Sequence, residues 1–451
     1  MQACRLHYNK DRVWRWIGAE RGLDNSARVL KTPKQRTMKS RLTPLLCTVI
    51  ALSSATGFAQ EWARFRGPNG TGVGDAPGFP TTLTEDNILW KTPIEGGGHS
   101  SPVLWGDKLW LTSSVQEGQE NLLLCYDATS GDELWRRSLS MRSFRIHQYN
   151  SFASPSPAAD AERVYISWTT PEKNQIAAYT HEGELAWSHD LGPFESQHGG
   201  GVSPTVVDGK VIFPNEQLGQ SFLIAFDAES GDIAWRLPRE AGPHAAYSTP
   251  CIYGEDTDAP YLVFNSSAHG ITGVSIETGK VLWNINDGLF DKRSCSSPTF
   301  VDGVIFGSCG SGGGGNYVVA IEPPTSPGGE PKLRYEVRRS APYVPTNVIK
   351  DGFAYLWSDG GIVTRVEART GETTYRERAM GNYFASPVLI NDAIYNVSTD
   401  GQLVVIKASE DFEVLSRFDF DATTHATPAV AHGKMYLRTV DALYCLGTPG
   451  S

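Results

Sequence analysis

A repeated segment constrains the fold of this chain more than any other feature. SPVLWGDKLWL followed by NLLLCYDATSGDELW begins at Ser101, and SPTVVDGKVIF followed by SFLIAFDAESGDIAW begins at Ser203. The opening Ser/Thr-Pro pair recurs every 40 to 55 residues, at 101–102, 156–157, 203–204, 249–250, 297–298, 386–387 and 427–428, with Thr346-Asn347 in the remaining slot. This period is typical of the four-stranded blades of a β-propeller.

The repeat ends with Gly-x-x-x-Trp. This element occurs as Gly131…Trp135, Gly183…Trp187, Gly231…Trp235 and Gly279…Trp283, and in a weaker form as Gly371…Tyr375. Between the opening and closing elements, apolar residues alternate with polar ones and the turns are rich in Asp and Gly, which indicates short antiparallel strands. We therefore predict an all-β chain with eight blades around a central channel.

The eighth unit lacks a closing element, whereas an unpaired strand pattern, ILWKTPI with Trp90, precedes the first unit. We expect residues 87–93 to supply the outer strand of the last blade, because ring closure removes exposed sheet edges. The fold prediction is thus a single eight-bladed β-propeller of four-stranded antiparallel blades over residues 87–451, preceded by a lead-in strap at 60–86.

The N-terminal region has the composition of a targeting signal. Met38-Lys39-Ser40-Arg41 is a short basic start, the run from Leu45 to Leu52 is apolar, and Gly57-Phe58-Ala59 is a plausible cleavage site. Residues 38–59 are therefore interpreted as a signal peptide, and residues 1–37 as an over-extended start. The prediction is an exported, periplasmic or envelope-associated protein without a transmembrane segment, since the apolar run is too short to span a bilayer.

Charge excludes one class of partner. The net charge is −10, and after residue 59 the chain carries 47 acidic against 29 basic residues. Such an acidic body disfavours nucleic acid and anionic membrane surfaces as partners.

The Ser/Thr-Pro openings and the Asp-x-x-Ser/Thr-Gly-x-x-x-Trp endings resemble the tryptophan-docking blades of the PQQ-like (pyrroloquinoline quinone, quinoprotein-type) propellers. They also resemble the propeller lipoprotein of the outer-membrane barrel-assembly machinery, which has the same repeats without a cofactor. The resemblance covers about 390 residues. It implies that the tryptophans dock against neighbouring blades. Blades five to seven are degenerate, with Tyr335, Tyr375 and a position near Leu415 or Phe418 in place of Trp, and looser packing is expected there.

The resemblance leaves two functions open. The quinoprotein enzymes stack the quinone between a tryptophan floor and a vicinal disulfide, and hold Ca²⁺ with Glu, Asn and Asp. This sequence has no adjacent Cys-Cys pair, no recognisable Ca²⁺ set and no Cys-x-x-Cys-His haem motif. The favoured prediction is a non-catalytic scaffold or ligand-binding module without a cofactor, in outer-membrane protein assembly. The alternative is a divergent dehydrogenase using PQQ with Ca²⁺ at the channel mouth.

The glycine-rich segment RFRGPNGTGVG at 64–74 imitates a phosphate loop but lacks its Gly-Lys-Ser/Thr ending and a following helix. We interpret it as an irregular strap whose Arg64 and Arg66 are available for surface ion pairs. The chain also lacks the His-x-x-x-His and Cys-x-x-Cys spacings of zinc sites, so no metal site is predicted.

The residues just before the Ser/Thr-Pro pairs are the candidate binding residues. GGGHSSP at 96–102 suggests a Ser-His pair in isolation, but Ser101 is a repeat position and no orienting carboxylate accompanies it. In a propeller the preceding loops converge on one channel mouth. The predicted mouth residues are His99, His198, His244, Tyr247, Lys292, Arg293, Tyr343, Phe384 and His425, with His147 as a further member. They either fill the mouth and satisfy the backbone groups of the loops, or they form a pocket for a small ligand or a protein partner.

Five cysteines follow the signal segment. Cys295 and Cys309 are equidistant from Asp302, the predicted centre of a turn in blade five. If that turn is symmetric, the two side chains face each other, and an exported protein could form a disulfide there. A register shift of one residue would separate them. Cys125 and Cys445 are expected to be small buried residues.

Overall fold

The computed structural model describes residues 61–450, which form eight β-sheets arranged as the blades of a propeller. The described part contains three short 3₁₀ segments, Pro68–Gly70, Glu85–Asn87 and Gln116–Gly118, and no α-helix. The all-β, eight-bladed prediction is confirmed. The over-extended start and the signal peptide predicted at 1–59 lie outside the described residues.

Each blade has four antiparallel strands, which follow one another from the channel outward. Blades one and two consist of Val103–Trp105, Lys108–Val115, Glu120–Asp127, Glu133–Ser140, and of Ala158–Ala159, Arg163–Thr170, Lys173–Thr180, Leu185–Asp190. Blades three and four consist of Thr205–Val207, Lys210–Asn215, Ser221–Asp227, Ile233–Arg239, and of Cys251–Tyr253, Tyr261–Ser266, Gly270–Ser275, Val281–Ile285. Blades five and six consist of Thr299–Val301, Val304–Cys309, Tyr317–Glu322, Lys332–Val337, and of Val348–Lys350, Phe353–Trp357, Ile362–Glu367, Thr373–Arg378.

Blades seven and eight complete the ring. Blade seven consists of Val388–Ile390, Ala393–Val397, Gln402–Lys407 and Val414–Asp419, and blade eight of Ala429–Ala431, Lys434–Arg438, Ala442–Leu446 and Ile88–Pro93. In blade eight, Trp90 pairs with Cys445 in the antiparallel ladder. The predicted closure by an N-terminal strand is confirmed.

The tryptophans of the closing elements join each blade to the next. The indole N–H groups of Trp135, Trp187 and Trp235 donate to backbone carbonyls in the following blade, at 2.8, 3.1 and 2.9 Å. Each of these bonds satisfies an indole donor at the edge of an otherwise apolar inter-blade contact.

The glycine of each closing element explains why Gly and Trp recur together. Gly231 has φ of 78°, and a Cβ there would lie 2.6 Å from Cγ of Trp187 in the preceding blade. Gly131 and Gly279 lie in the same way against Trp90 and Trp235. Only glycine allows both the left-handed backbone and the close approach of the ring.

The degenerate blades dock by other means. The Tyr335 hydroxyl donates to the carbonyl of Ala368 at 2.7 Å, and its ring packs on Gly371. In blade seven the docking position is Ser416, which pairs with Val405, and its hydroxyl donates to the carbonyl of Thr81 at 2.6 Å. The lead-in strap therefore covers the blade that lacks an aromatic docking residue.

The strap runs through the central channel. Trp62 forms an isolated antiparallel β-bridge with Leu104 of blade one. The side chain of Asn69 makes two hydrogen bonds of 2.7 Å with the backbone of Ile252 in blade four. Val73–Gly74 then pairs in parallel with the innermost strand of blade seven. Because these partners are innermost strands of different blades, the strap closes the channel opposite the Ser/Thr-Pro loops.

Arg64 and Arg66 lie inside this channel, so the prediction of surface ion pairs is wrong. Arg66 is fully buried, and its guanidinium donates to five backbone carbonyls, those of Gly70, Thr71, Thr346, Asn347 and Pro387. Arg64 donates to the carbonyl of Pro250. Burial lowers the pKa of Arg66 to about 9 and that of Arg64 to about 10. A Cβ at Gly70 would lie 3.4 Å from Nη2 of Arg64, and one at Gly72 would lie 2.6 Å from Nη2 of Arg66, so glycine at these positions leaves room for both side chains.

Cys295 and Cys309 are free thiols. The hairpin of blade five pairs Val301 with Val304, so its turn is centred between Asp302 and Gly303 rather than on Asp302. This shift by one residue separates the two cysteines, which corrects the symmetric turn on which the disulfide prediction depended.

Candidate functional site: the channel-mouth cavity

The eight Ser/Thr residues of the repeat form a ring around the channel, and hydrogen bonds join every neighbouring pair of these described residues except Ser203 and Thr249. The N–H of Ser101 donates to Oγ of Ser156 at 2.9 Å, and the N–H of Thr427 donates to Oγ of Ser101 at 3.0 Å. The equivalent hydrogen bond, from the N–H of one residue to the hydroxyl of the next, joins Ser156 to Ser203, Thr249 to Ser297, Ser297 to Thr346, Thr346 to Ser386 and Ser386 to Thr427. The repeated hydroxyl therefore satisfies a backbone donor of the preceding blade, and Ser101 has a structural role.

A cavity of about 770 Å³ lies at this ring, on the side of the Ser/Thr-Pro loops. Phe65, from the strap, lines it together with seven of the eight ring residues. The cavity is therefore a blind pocket with a floor made by the strap and the hydroxyl ring. Its volume lies in the range of small-ligand sites, about 300–1,000 Å³.

Most of the predicted mouth residues line this cavity. They are His99, His198, Tyr247, Arg293, Tyr343, Phe384 and His425, together with His147. His244 and Lys292 do not line it. Nδ1 of His244 lies 3.4 Å from Oε1 of Gln197, and Lys292 forms an ion pair with Asp291 at 3.4 Å. The repeat register thus placed these residues at one mouth, and their role in binding stays a prediction.

Six rings form a continuous aromatic band along the cavity wall. Its members, in order, are His198, His147, Tyr149, Phe384, His425 and His99, with centroid separations of 4.4, 5.5, 5.2, 4.7 and 4.3 Å. Such separations are those of favourable aromatic pairs. Loop 141–157, between blades one and two, supplies His147 and Tyr149. Asn150 fastens this loop by donating to the carbonyls of His198 and Gly200 at 2.7 and 3.0 Å.

Sequence reasoning missed several lining residues. Tyr149, Asp359 and the glycine-rich loop at 311–316 all line the cavity. The run of four glycines after a strand of blade five was a visible signal, because such a run marks a close backbone approach or an exposed loop. The position of Tyr149 had no comparable signal, since it depends on how loop 141–157 folds back over the mouth.

Burial keeps His99 and His198 of the cavity neutral. Desolvation, with smaller contributions from His425 and Arg438, lowers the pKa of His99 to about 3. Desolvation, followed by the charge of Arg293, lowers the pKa of His198 to about 4. At neutral pH these rings therefore offer one donor and one acceptor each rather than a positive charge.

The lining residues do not fit a quinone held in the manner of the quinoprotein enzymes. No tryptophan is among the described residues that line the cavity, and Cys295 is their single cysteine. Asp359 is their single carboxylate, and it accepts backbone N–H groups of Tyr343 and Val344 at 2.7 and 3.1 Å. Within residues 61–450, no group of three or more His, Cys, Asp or Glu side chains is placed to hold a metal ion.

Burial also raises the pKa of the Cys295 thiol to about 12. The thiol is protonated at neutral pH and is therefore a poor nucleophile.

Comparison with known proteins agrees with this fold. The family model described as outer membrane protein assembly factor BamB matches residues 81–220 and 119–377, which together cover more than half of the chain. A search among curated proteins found no match. Within the described residues, no helix has the length and apolar character needed to cross a membrane.

Three solved structures share the architecture. BamB from Moraxella catarrhalis is 15% identical with a TM-score of 0.57, covering 81% of this chain and 98% of that one. The quinohemoprotein alcohol dehydrogenase ADHIIG from Pseudomonas putida HK5 is 13% identical with a TM-score of 0.61, covering 87% and 81%. The computationally designed Ika8 protein is 11% identical with a TM-score of 0.57, covering 80% and 100%. At these identities the likeness concerns the fold, and with the family match it shows that the chain belongs to the PQQ-like β-propeller family represented by BamB.

Proposed function

We propose that this protein is an exported, non-catalytic binding module of the cell envelope whose ligand site is the channel-mouth cavity. The observation that supports the proposal most strongly is the blind floor. Because the strap closes the channel behind Phe65, the mouth is a pocket with one entrance rather than a pore. Propellers place ligands at such mouths, where loops from all blades converge on a rigid ring.

The chemistry of the wall favours binding over turnover. Seven of the eight ring hydroxyls accept backbone N–H groups. The Cys295 thiol is protonated, and the Asp359 carboxylate is held by two backbone N–H groups. A dehydrogenase that uses a quinone with Ca²⁺ needs carboxylate and amide ligands that converge on the ion. The cavity does not offer this set, so the quinoprotein function is the weaker candidate.

The setting we propose is outer-membrane protein assembly, on the strength of the description of the matching family. In that setting the cavity holds a small ligand or a segment of a partner protein. A variant that fills the cavity without disturbing the blades tests this role.

Gly312 is suited to such a variant. It lines the cavity, its φ is not positive, and a Cβ at this position would meet no atom within 4 Å. Gly313 is its matched control, because it does not line the cavity and a Cβ there would meet only Oγ of Ser311 at 3.7 Å. Gly312→Trp is therefore expected to obstruct the pocket, and Gly313→Trp to leave it accessible.

The experiment measures folded outer-membrane proteins in producing cells that lack this gene. The natural chain and Gly313→Trp are expected to restore their level, whereas Gly312→Trp, present in equal amount, is not. Equal restoration by both variants would contradict a function through the cavity.

A further inference from the structure

One corner of the cavity holds Arg293 and His198, and His244, which does not line the cavity, contacts their neighbour Gln197. Arg293, from the loop before blade five, donates through Nη2 to Oε1 of Gln197. His244 reaches the same oxygen through Nδ1 at 3.4 Å, and the ring of His198 stacks on His147 at 4.4 Å. Among residues 61–450, no Asp or Glu forms an ion pair with Arg293. We call Arg293, His198 and His244, with Gln197, the basic corner.

Two polar atoms of the basic corner are buried and have no partner within the described chain. They are Nε of Arg293 and Nδ1 of His198, and both residues line the cavity. A buried donor without an acceptor costs about 1–3 kcal/mol, and more when the group is charged. A ligand oxygen that accepts from both atoms would remove this cost.

A second layer of positive charge lies directly behind the cavity wall. Arg66 donates to the carbonyl of Thr346, Arg64 to that of Pro250, and Arg438 to that of Ser100 at 3.2 Å, so each reaches a lining residue or the neighbour of one. All three guanidinium groups are buried, and within the described chain their hydrogen-bond acceptors are backbone carbonyls and hydroxyls rather than carboxylates. Charges in a low-dielectric wall focus their field into the cleft that they enclose.

The opposing charge in the cavity is small. Asp359 is the single carboxylate among the described lining residues, and burial raises its pKa despite the two N–H groups that it accepts. The pocket is therefore electropositive, although the protein as a whole is acidic. The aromatic band extends away from His198, so a bound molecule could hold a charged group at the corner and pack an apolar part along the band.

We propose that the basic corner is an anion subsite, which takes the carboxylate or phosphate group of a small organic anion. This inference rests on the proposed function, because it names the chemical class that the cavity binds. An acceptor oxygen at the corner would receive the N–H of Arg293 Nε and select the His198 tautomer that carries a proton on Nδ1. The negative charge would be balanced by Arg293 at the corner and by the arginines behind the wall.

The test compares benzoate with benzamide, two probes of the same shape that differ in charge, by isothermal titration of the purified chain. Benzoate is expected to bind about tenfold more tightly than benzamide, a difference typical of a charge-assisted hydrogen bond. Its affinity is expected to fall with added salt. Phenyl phosphate, titrated in parallel, distinguishes a preference for phosphate from one for carboxylate.

Two variants locate the subsite. Arg293→Gln is expected to weaken benzoate binding about tenfold and to leave benzamide unchanged. His198→Phe keeps a ring stacked on His147 but removes both ring nitrogens, including the unpartnered Nδ1, and is expected to weaken benzoate binding several-fold. Arg142→Gln is the control, since Arg142 is exposed, pairs with Glu172 and does not line the cavity.

The outcomes separate the two proposals. If benzoate and benzamide bind equally and Gly312→Trp abolishes both, the cavity is a binding site and the anion subsite is wrong. If Arg293→Gln and Arg142→Gln weaken benzoate equally, the subsite is also wrong. If neither probe binds saturably, the anion subsite and the proposed use of the cavity for small ligands both fail.

Discussion

At the scale of single residues, His99 shows how the fold reassigns a reactive-looking side chain. It follows three glycines and precedes two serines, yet Ser101 serves the hydroxyl ring and His99 packs on His425 at 4.3 Å. Burial, next to His425 and Arg438, lowers the pKa of His99 from 6.5 to about 3. The imidazole is a neutral component of the cavity wall rather than a general base.

This depressed pKa makes stability depend on pH. Between pH 6.5 and about 3 the unfolded chain protonates His99 while the folded chain does not, so the free energy of unfolding decreases as the pH falls through this window. His99→Phe keeps the ring contact and removes the titration. The stability of the natural chain relative to this variant is expected to fall by about 2 kcal/mol between pH 7.5 and 4.5.

Urea unfolding at the two pH values measures this difference. His432→Asn, in a turn of blade eight outside the cavity, serves as the control. A relative stability of His99→Phe that does not change with pH would contradict the assignment of a buried neutral imidazole.

At the scale of elements, a tryptophan of one blade packs on a glycine of the next, as Trp187 packs on Gly231. Gly231→Ala places a methyl group 2.6 Å from Trp187 and at a φ of 78°, so it is expected to combine backbone strain with displacement of the ring. Gly209 lies in the same blade with a φ of 66° and nothing within 4 Å of a Cβ. Gly209→Ala therefore isolates the backbone cost, about 1 kcal/mol.

Gly231→Ala is expected to cost at least about 2 kcal/mol more than Gly209→Ala, because the ring must leave its packed position or the turn must open. Thermal unfolding of the two variants compares them, and tryptophan fluorescence reports the environment of the indole. Equal melting temperatures for the two variants would show that the ring contact does not stabilise the blade interface.

The elements also show which features can be read from a sequence. The blades follow from Ser/Thr-Pro, Asp-Gly and Gly-x-x-x-Trp, because each motif satisfies a local or nearest-neighbour requirement. The strand register of blade five could not be predicted from these motifs, because a turn centred on Asp302 and a turn centred between Asp302 and Gly303 shift the pairing by a single residue. Alternation of apolar residues in so short a strand does not distinguish the two.

At the scale of the whole molecule, the strap closes one end of the central channel, so that the other end forms a cavity with a floor. Some of its contacts join residues far apart in sequence, such as Asn69 to Ile252, 183 positions away, and Arg66 to Pro387, 321 positions away. A glycine-rich segment has no periodicity that predicts such partners. Residues that converge through the repeat could therefore be predicted for the mouth, whereas the floor, the buried arginines and loop 141–157 required the folded chain.

The central claim, that the floored cavity is a binding site for a small organic anion and not a quinone site, is tested most directly by native mass spectrometry. The full chain, isolated from its producing cell, is expected to carry a stoichiometric small molecule that has an acidic group and is not pyrroloquinoline quinone. Gly313→Trp is expected to retain this molecule and Gly312→Trp to lose it. A chain without any bound molecule, or one that carries pyrroloquinoline quinone, would contradict the account.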